Sequence, residues 1–329
     1  MDDVRPLDLD DPADAATFDA LVDRTPDIDG FCSTSAWITS ARRAFSPEGR
    51  PLVRTRGDAA VAIMTTPLGD GRIARCAFEL MWGFACPIVG PSPAEAAGLL
   101  IATLLDDGPP WDLCVVTGVP PRSDLERELV LAAGERLRVR AGPPMIRHIA
   151  DLSEGRDAFL ERRSAKFRRN LRRAERRRAE LGIRFEHPDD EAATDAGFAR
   201  IEAIERRSWK GHTGSGILTD EMRCFYREMT ARLAVDGHLR ATLATADGTD
   251  IGYILGGVRG ERYRGFQLSY DADWAPASVG NLLQWHQMGA LTTNGVTTYD
   301  LGMDMDYKRS WSDHVFATRS IVLAPPDPS

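Results

Sequence analysis

Residues 262–270 read RYRGFQLSY, residues 271–277 DADWAPA, residues 278–293 SVGNLLQWHQMGALTT and residues 296–313 VTTYDLGMDMDYKRSWSD. The first stretch is aromatic-rich and alternating, which predicts a strand, while the apolar residues of Ser278 to Thr293 recur at helical spacing. A loop, DADWAPA, joins the two. Val296 to Leu301 predicts a short strand running parallel to the first, and Gly302 frees the chain to enter MDMDYKRSWSD. Because the first N–H groups of a helix lack intrahelical partners, Val279, Gly280 and Asn281 form a seat for a phosphate or pyrophosphate. The alternative at that point is an ordinary strand–helix junction.

Working outward, the 329 residues suffice for a full core and most naturally form two domains. A formal net charge of −8 argues against a generic nucleic-acid binder while leaving room for a local basic patch. No stretch has the uninterrupted apolar length of a membrane span, since Cys76 to Gly90 is short and contains Glu79. The start, MDDVRPLDLDD, lacks the basic-then-apolar pattern of a secretory signal, so the expected compartment is the cytoplasm. Five cysteines without a C-x-x-C pair suggest neither a disulfide framework nor a zinc cluster, and the six histidines match no ligand spacing. No metal and no membrane are expected.

In chain order, helices are predicted over Ala15 to Val22 and Ala36 to Phe45, the second with Ser35 in the N-cap position. Strands follow at Leu52 to Arg56, Ala60 to Thr66 and Arg72 to Leu80, separated by Gly57-Asp58 and Gly69-Asp70-Gly71 turns. Ser92-Pro93-Ala94-Glu95 is a capping box that opens a helix to about Leu105. Trp111 to Thr117 reads as a strand, Ser123 to Ala133 as a helix, and Leu137 to Asp151 as extended segments interrupted by Gly142-Pro143-Pro144.

Gly155 to Gly182 is dense in arginine and reads as a basic helix capped by Ser164 and ended by Gly182. Phe167, Leu171, Ala174 and Leu181 fall on one narrow apolar face, so the other faces are solvated or bind anions: phosphate-bearing ligands or RNA. Then come a short strand (Ile183 to Glu186) and two helices, Glu191 to Trp209 and Thr219 to Val235. The glycine-rich SWKGHTGSGI between them lacks the lysine and hydroxyl of a P-loop and reads as a mobile loop. The strands Leu239 to Ala246 and Ile251 to Val258 make a meander with the stretch first quoted, and His314 to Leu323 closes the chain.

The two halves repeat one order: two helices, a three-strand meander, a helix and a strand. The expectation is an α/β (α+β) protein of two similar domains, 1–150 and 151–329, each a mixed, largely antiparallel sheet flanked by helices.

That order resembles the GNAT acyltransferase fold, in which the last two strands splay and an acyl-CoA chain enters the splay. SAKFRRNLRRAERRRAELG, SWKGHTGSGI, YDADWAPASVGNLLQWHQMGAL and YDLGMDMDYKRSW, in this order, are similar to the CelD/BioF-like acetyltransferase branch, itself similar to the FemAB peptidyltransferases. The resemblance covers about Asp151 to Trp311. Ala277-Ser278-Val279-Gly280 departs from the Ser/Thr-Pro-Gly expected before the helix, whereas Tyr307-Lys308 is similar to the late aromatic–lysine pair of the Fem ligases. The resemblance implies acyl-CoA as co-substrate, or an aminoacyl-tRNA or carrier-protein thioester as donor.

On chemical grounds the expected reaction is acyl transfer to the amine of a small-molecule acceptor by direct attack, because no Ser/His/Asp or Cys/His set can be assigned. Asp300 is expected to position or deprotonate the amine, a backbone N–H near Leu268 to Tyr270 to hold the oxyanion, Tyr270 or Tyr307 to protonate the leaving thiolate, and Lys308 to offset negative charge. Trp209, Lys210, Gln267, His286 and Arg169 are expected to contact substrate, and Val279, Gly280, Asn281 and Leu268 to hold the co-substrate. Against each stands a plain alternative: a loop cap for Asp300, core positions for the tyrosines, a solvated lysine. Two other readings keep the basic helix in view: a Fem-like transferase using aminoacyl-tRNA, and a non-catalytic module binding RNA or an acidic partner.

Overall fold

The computed structural model describes residues 4–106 and 110–326. The chain divides into two compact units, Met1–Met145 with Ala317–Ser329, and Ile146–Phe316. The expected partition at 150/151 and this one at 145/146 both fall inside one strand, Arg138–Asp151, and here the C-terminal stretch counts with the first unit.

In the first unit, β1 (Arg5–Pro6) precedes helices α1 (Pro12–Arg24) and α2 (Ser35–Phe45). Asp11 caps α1 by accepting from the Ala13 and Asp14 N–H groups at 2.9 and 3.1 Å. Ser35, expected as the cap of α2, instead gives its N–H and hydroxyl to Asp19. Strands β2 (Arg50–Arg56), β3 (Ala59–Pro67) and β4 (Ile73–Ala77) form the expected meander, with β5 (Ile88–Val89) on β3. The Ser92 box opens α3 (Pro93–Leu105), after which β6 (Leu113–Val119) lies parallel to β4 through only three residue pairs. Helix α4 (Asp124–Ala133) leads into β7 (Arg138–Asp151). β7 is one strand of 14 residues: Pro143 and Pro144 are exposed and sit in it without breaking it, because proline's fixed φ suits an extended chain wherever its missing N–H is not called on.

In the second unit, α5 (Gly155–Glu161) and the arginine-rich α6 (Ala165–Glu180) replace the single basic helix; Ser164 breaks the run and caps α6 through the Phe167 N–H at 3.2 Å. β8 (Arg184–Glu186), α7 (Asp195–Arg207), the single turn α8 (Trp209–His212) and α9 (Asp220–Val235) follow. The meander is β9 (Leu239–Ala246), β10 (Thr249–Arg259) and β11 (Arg262–Tyr270), all antiparallel, with α10 (Val279–Thr293) leading to β12 (Thr298–Met303). β12 runs parallel to β11 and antiparallel to the end of β7, so this sheet is ordered β7-β12-β11-β10-β9-β8. Leu282, Leu283, Met288 and Leu291 of α10 are buried in one core with Ile251, Ile254, Tyr263 and Tyr299 of the sheet. β13 (His314–Ala324) pairs antiparallel with β6 from Arg319 onward, which places the C-terminal stretch in the first unit. Each unit is thus a mixed, largely antiparallel sheet flanked by helices, with one parallel pair bridged by a helix.

Candidate active site

The parallel pair β11–β12 holds only at Arg262↔Thr298, Tyr263↔Tyr299 and Arg264↔Asp300. Beyond that point the strands part, and both carry an extra residue. Leu255 pairs with Gln267 and Gly256 with Gly265, so Phe266 bulges from β11; Asp300 pairs with Ile149 and Gly302 with His148, so Leu301 bulges from β12. A bulge bends its strand, and one on each side of the same point opens a fork. Gly302 turns the second strand at φ +85°, a conformation that favours glycine.

A buried ion cluster holds the base of the fork. The Arg147 guanidinium from β7 donates to Asp300 Oδ2 at 2.7 Å, Arg264 from β11 donates to Asp300 Oδ1 at 3.1 Å, and the Gly302 N–H donates to the same Oδ1 at 2.8 Å. Both arginines are buried. Asp300, expected to handle the amine's proton, therefore has both oxygens committed to guanidiniums. These charge-assisted bonds join β7, β11 and β12 at one carboxylate.

Lys308 enters from the 3-10 turn Asp306–Ser310 that follows β12, and its Nζ donates to the Met303 carbonyl at 3.0 Å. The residue is only 9% exposed. Burial, and next the Arg264 guanidinium beside it, bring the ammonium down to about 8 against the opposing pull of Asp300, and Lys210 lowers it further. One N–H is used, so two donors remain for a substrate. Tyr307, its chain neighbour, is half-exposed.

Lys210 reaches the fork from α8. Its Nζ donates to Gln267 Oε1 at 2.7 Å and to the Leu268 carbonyl at 2.9 Å, and Gln267 in turn donates to the Tyr226 hydroxyl at 3.0 Å. Burial lowers this lysine's pKa, opposed by Glu205. Fully buried Glu205 accepts from the Tyr253 hydroxyl at 3.1 Å and the Ile217 N–H at 3.3 Å. The glycine-rich segment expected to be mobile is thereby clamped. A Cβ on Gly216, whose φ is +83°, would lie 2.0 Å from Glu205 Oε1, and one on Gly211 would lie 2.3 Å from the Glu205 carbonyl oxygen. Gly216 serves close approach to the buried Glu205 carboxylate, and Gly211 close approach to the Glu205 backbone.

The fork thus brings together Lys308, Lys210, Gln267, Leu268 and Asp300, and Tyr270 lies near enough to Tyr307 to act on it electrostatically. Other expected residues lie elsewhere in the unit. Trp209 is 52% exposed. His286 stacks on Phe185 with ring centroids 4.0 Å apart and bonds Glu175 at 2.9 Å, which ties α10 to α6. Arg169 is exposed on α6. Sequence reasoning missed Arg147, Arg264, Glu205 and Tyr226; the one available signal was a charged residue alternating inward on β11 at Arg264.

The start of α10 was expected to seat a pyrophosphate. Ser278, in the left-handed region at φ 59°, accepts from the Asn281 and Leu282 N–H groups at 3.0 and 3.1 Å, so only the N–H groups of Val279 and Gly280 are left to a ligand. Val279 is buried, and a Cβ on Gly280 would lie 2.9 Å from the Tyr270 ring. A 3-10 turn with Pro276, rather than a glycine-rich loop, precedes the helix. These residues fit a phosphate at two N–H groups, without a wrapping loop. Among the described residues no group of three or more His, Cys, Asp or Glu is placed to hold a metal ion.

The second unit thus has a strand fork between the fourth and fifth strands of a meander–helix–strand arrangement, with Lys308 at its mouth. Within this unit, residues 165–309 match the family described as an acetyltransferase (GNAT) domain. Over nearly its whole length the fold is that of FemX, with a TM-score of 0.70 at 12% identity, covering 97% of this chain and 96% of that one. A conserved protein of unknown function from Bacteroides thetaiotaomicron gives a TM-score of 0.65 at 12% identity, covering 98% and 100%. The C-terminal domain of a protein described as a lysylphosphatidylglycerol synthetase from Agrobacterium fabrum gives 0.55 at 15% identity, covering 92% and 91%. No curated protein matches the sequence. Among the described residues no helix is long and apolar enough to cross a membrane.

Proposed function

We propose that the protein transfers an acyl group from a thioester, acyl-CoA, to the amine of a small-molecule acceptor at the β11–β12 fork. The observation that carries this reading is the pair of lysines, buried Lys308 and half-buried Lys210, that meet the two strands where they part. The amine nitrogen attacks the carbonyl carbon, a C–N bond forms, and the C–S bond of the tetrahedral intermediate breaks. The Lys308 ammonium donates to the oxyanion as its charge develops, where burial strengthens the interaction. Tyr270 or Tyr307 gives the departing thiolate a proton and, as the tyrosinate, takes back the proton that the acylated nitrogen loses, while Lys210 fixes Gln267 and the Leu268 carbonyl along the acyl path. Asp300 acts through Arg147, Arg264 and Gly302 as a positioning residue.

The test is release of free thiol from a panel of acyl-CoAs on addition of candidate amines, with wild type and Lys308→Met. Thiol release that needs both amine and Lys308 supports the reading; equal rates in the two proteins remove Lys308 from the chemistry. A second reading, aminoacyl-tRNA as donor, is favoured by the start of α10, which offers a CoA pyrophosphate two N–H groups and no loop. The similarity to FemX and to the lysylphosphatidylglycerol synthetase domain agrees with it in fold. Transfer from charged tRNA without any acyl-CoA turnover would select it.

A further inference from the structure

Helix α6 carries a second functional surface outside the fork. Its inner face is fixed: Leu171 and Ala174 are buried, Phe167 meets the Trp311 ring edge-on at 4.8 Å, and Glu175 is bonded by His286 at 2.9 Å. Arg178, on that side, pairs with Glu175 at 2.9 Å. At 3.6 residues per turn, Lys166, Arg169, Arg172, Arg173, Arg176 and Arg177 all fall on the opposite side. All six are exposed, and no ion pair or side-chain hydrogen bond joins any of them to another described residue. They run from residue 166 to 177, about 16 Å along the axis at 1.5 Å per residue. Within a protein of net charge −8, six adjacent unpaired cations are a concentrated exception.

Like charges on adjacent turns repel, so the stripe costs helix stability unless a polyanion meets it. We propose that this stripe binds the phosphate backbone of RNA. Three features of the stripe select that occupant. Its cations are spread along about 16 Å of one broad, open helix face, which matches a row of phosphates and not a single small anion. Five of the six are arginines, whose planar fork suits phosphate oxygens. Between Lys166 and Arg177 no exposed large apolar side chain accompanies them, and α6 turns its apolar face inward, so the helix has nothing to insert into a lipid surface. The surface is independent of the acyl donor assigned above.

The experiment is fluorescence anisotropy of a fluorescein-labelled, mixed-sequence single-stranded RNA titrated with the full-length protein at several salt concentrations. If all six cations engage phosphates, the logarithm of affinity falls with the logarithm of salt at a slope of about −4, or roughly 300-fold between 50 and 200 mM salt. The triple variant Arg169→Gln, Arg173→Gln, Arg176→Gln should bring the slope to about −2 while leaving the unfolding midpoint unchanged, since all three side chains are exposed. Glu180→Lys, which extends the stripe, should tighten binding, a gain that misfolding cannot mimic. No RNA binding at low salt, a wild-type slope in the triple variant, or recruitment to anionic phosphatidylglycerol vesicles without RNA binding would each overturn the proposal. Acyl transfer from a thioester in the triple variant is read separately, so a failure of the RNA surface is distinguishable from a failure of the fork.

Discussion

Lys308→Met should make the protein more stable at neutral pH while lowering its activity. The wild-type ammonium is buried beside Arg264, and its pKa falls from 10.5 to about 8 on folding. Such a drop corresponds to a cost on the order of 3 kcal/mol, fully present below pH 8. Methionine keeps the unbranched stem and removes the charge, giving up the hydrogen bond to the Met303 carbonyl, worth about 1 kcal/mol. The expected net gain at pH 7 is about 2 kcal/mol. Between pH 8 and 10.5 the unfolded lysine holds a proton that the folded one has lost. Wild-type stability therefore rises with pH through this window relative to the variant, and near pH 10.5 only the lost hydrogen bond separates the two, so their order reverses. Urea unfolding followed by tryptophan fluorescence at pH 7 and at pH 10.5 reads both ends. A variant less stable than wild type at pH 7, or an advantage equal at both pH values, would refute the burial argument.

Three further outcomes follow from the same geometry. Asp300→Asn removes the carboxylate that Arg147 and Arg264 share, and should cost about 3–5 kcal/mol in a denaturant titration; a loss confined to turnover would return Asp300 to a role in proton transfer. The rate of acyl transfer should fall as pH rises through about 8, where Lys308 loses its proton, and the residual activity of Lys308→Met should lack that descending limb. Gly216→Ala places a methyl group against Glu205 in a left-handed backbone, and should cost about 1–3 kcal/mol while weakening acyl transfer through the displaced Lys210; unchanged stability would show that the clamp is loose.

Local pattern was enough for most elements. The Ser92 and Ser164 caps, the 3.6-residue spacing in α9 and α10, and the turns of the β9–β11 meander are signals within a few residues of one another, and helices and strands stand where they fall. The inner face of α6 was legible for the same reason at Phe167, Leu171 and Ala174, whereas Leu181, expected on that face, is exposed. The mobile loop read from SWKGHTGSGI was not, because its glycines answer to Glu205, a contact across the fold that composition does not encode. Gly142-Pro143-Pro144 misled similarly: proline interrupts a strand only where its N–H is required, and requirement is set by neighbours.

By itself, then, the sequence determined the order and kind of the elements, the repeat of that order in two halves, and the basic face of α6, all of which depend on periodicity and capping along the chain. Tertiary structure alone decided the site. The Arg147–Asp300 pair joins residues 153 positions apart, and the fork depends on one extra residue in each of two strands, which only strand register defines. Lys308 is an ordinary lysine in the sequence. Burial beside Arg264, in a space that the parting strands create, lowers its proton affinity and aims its remaining donors.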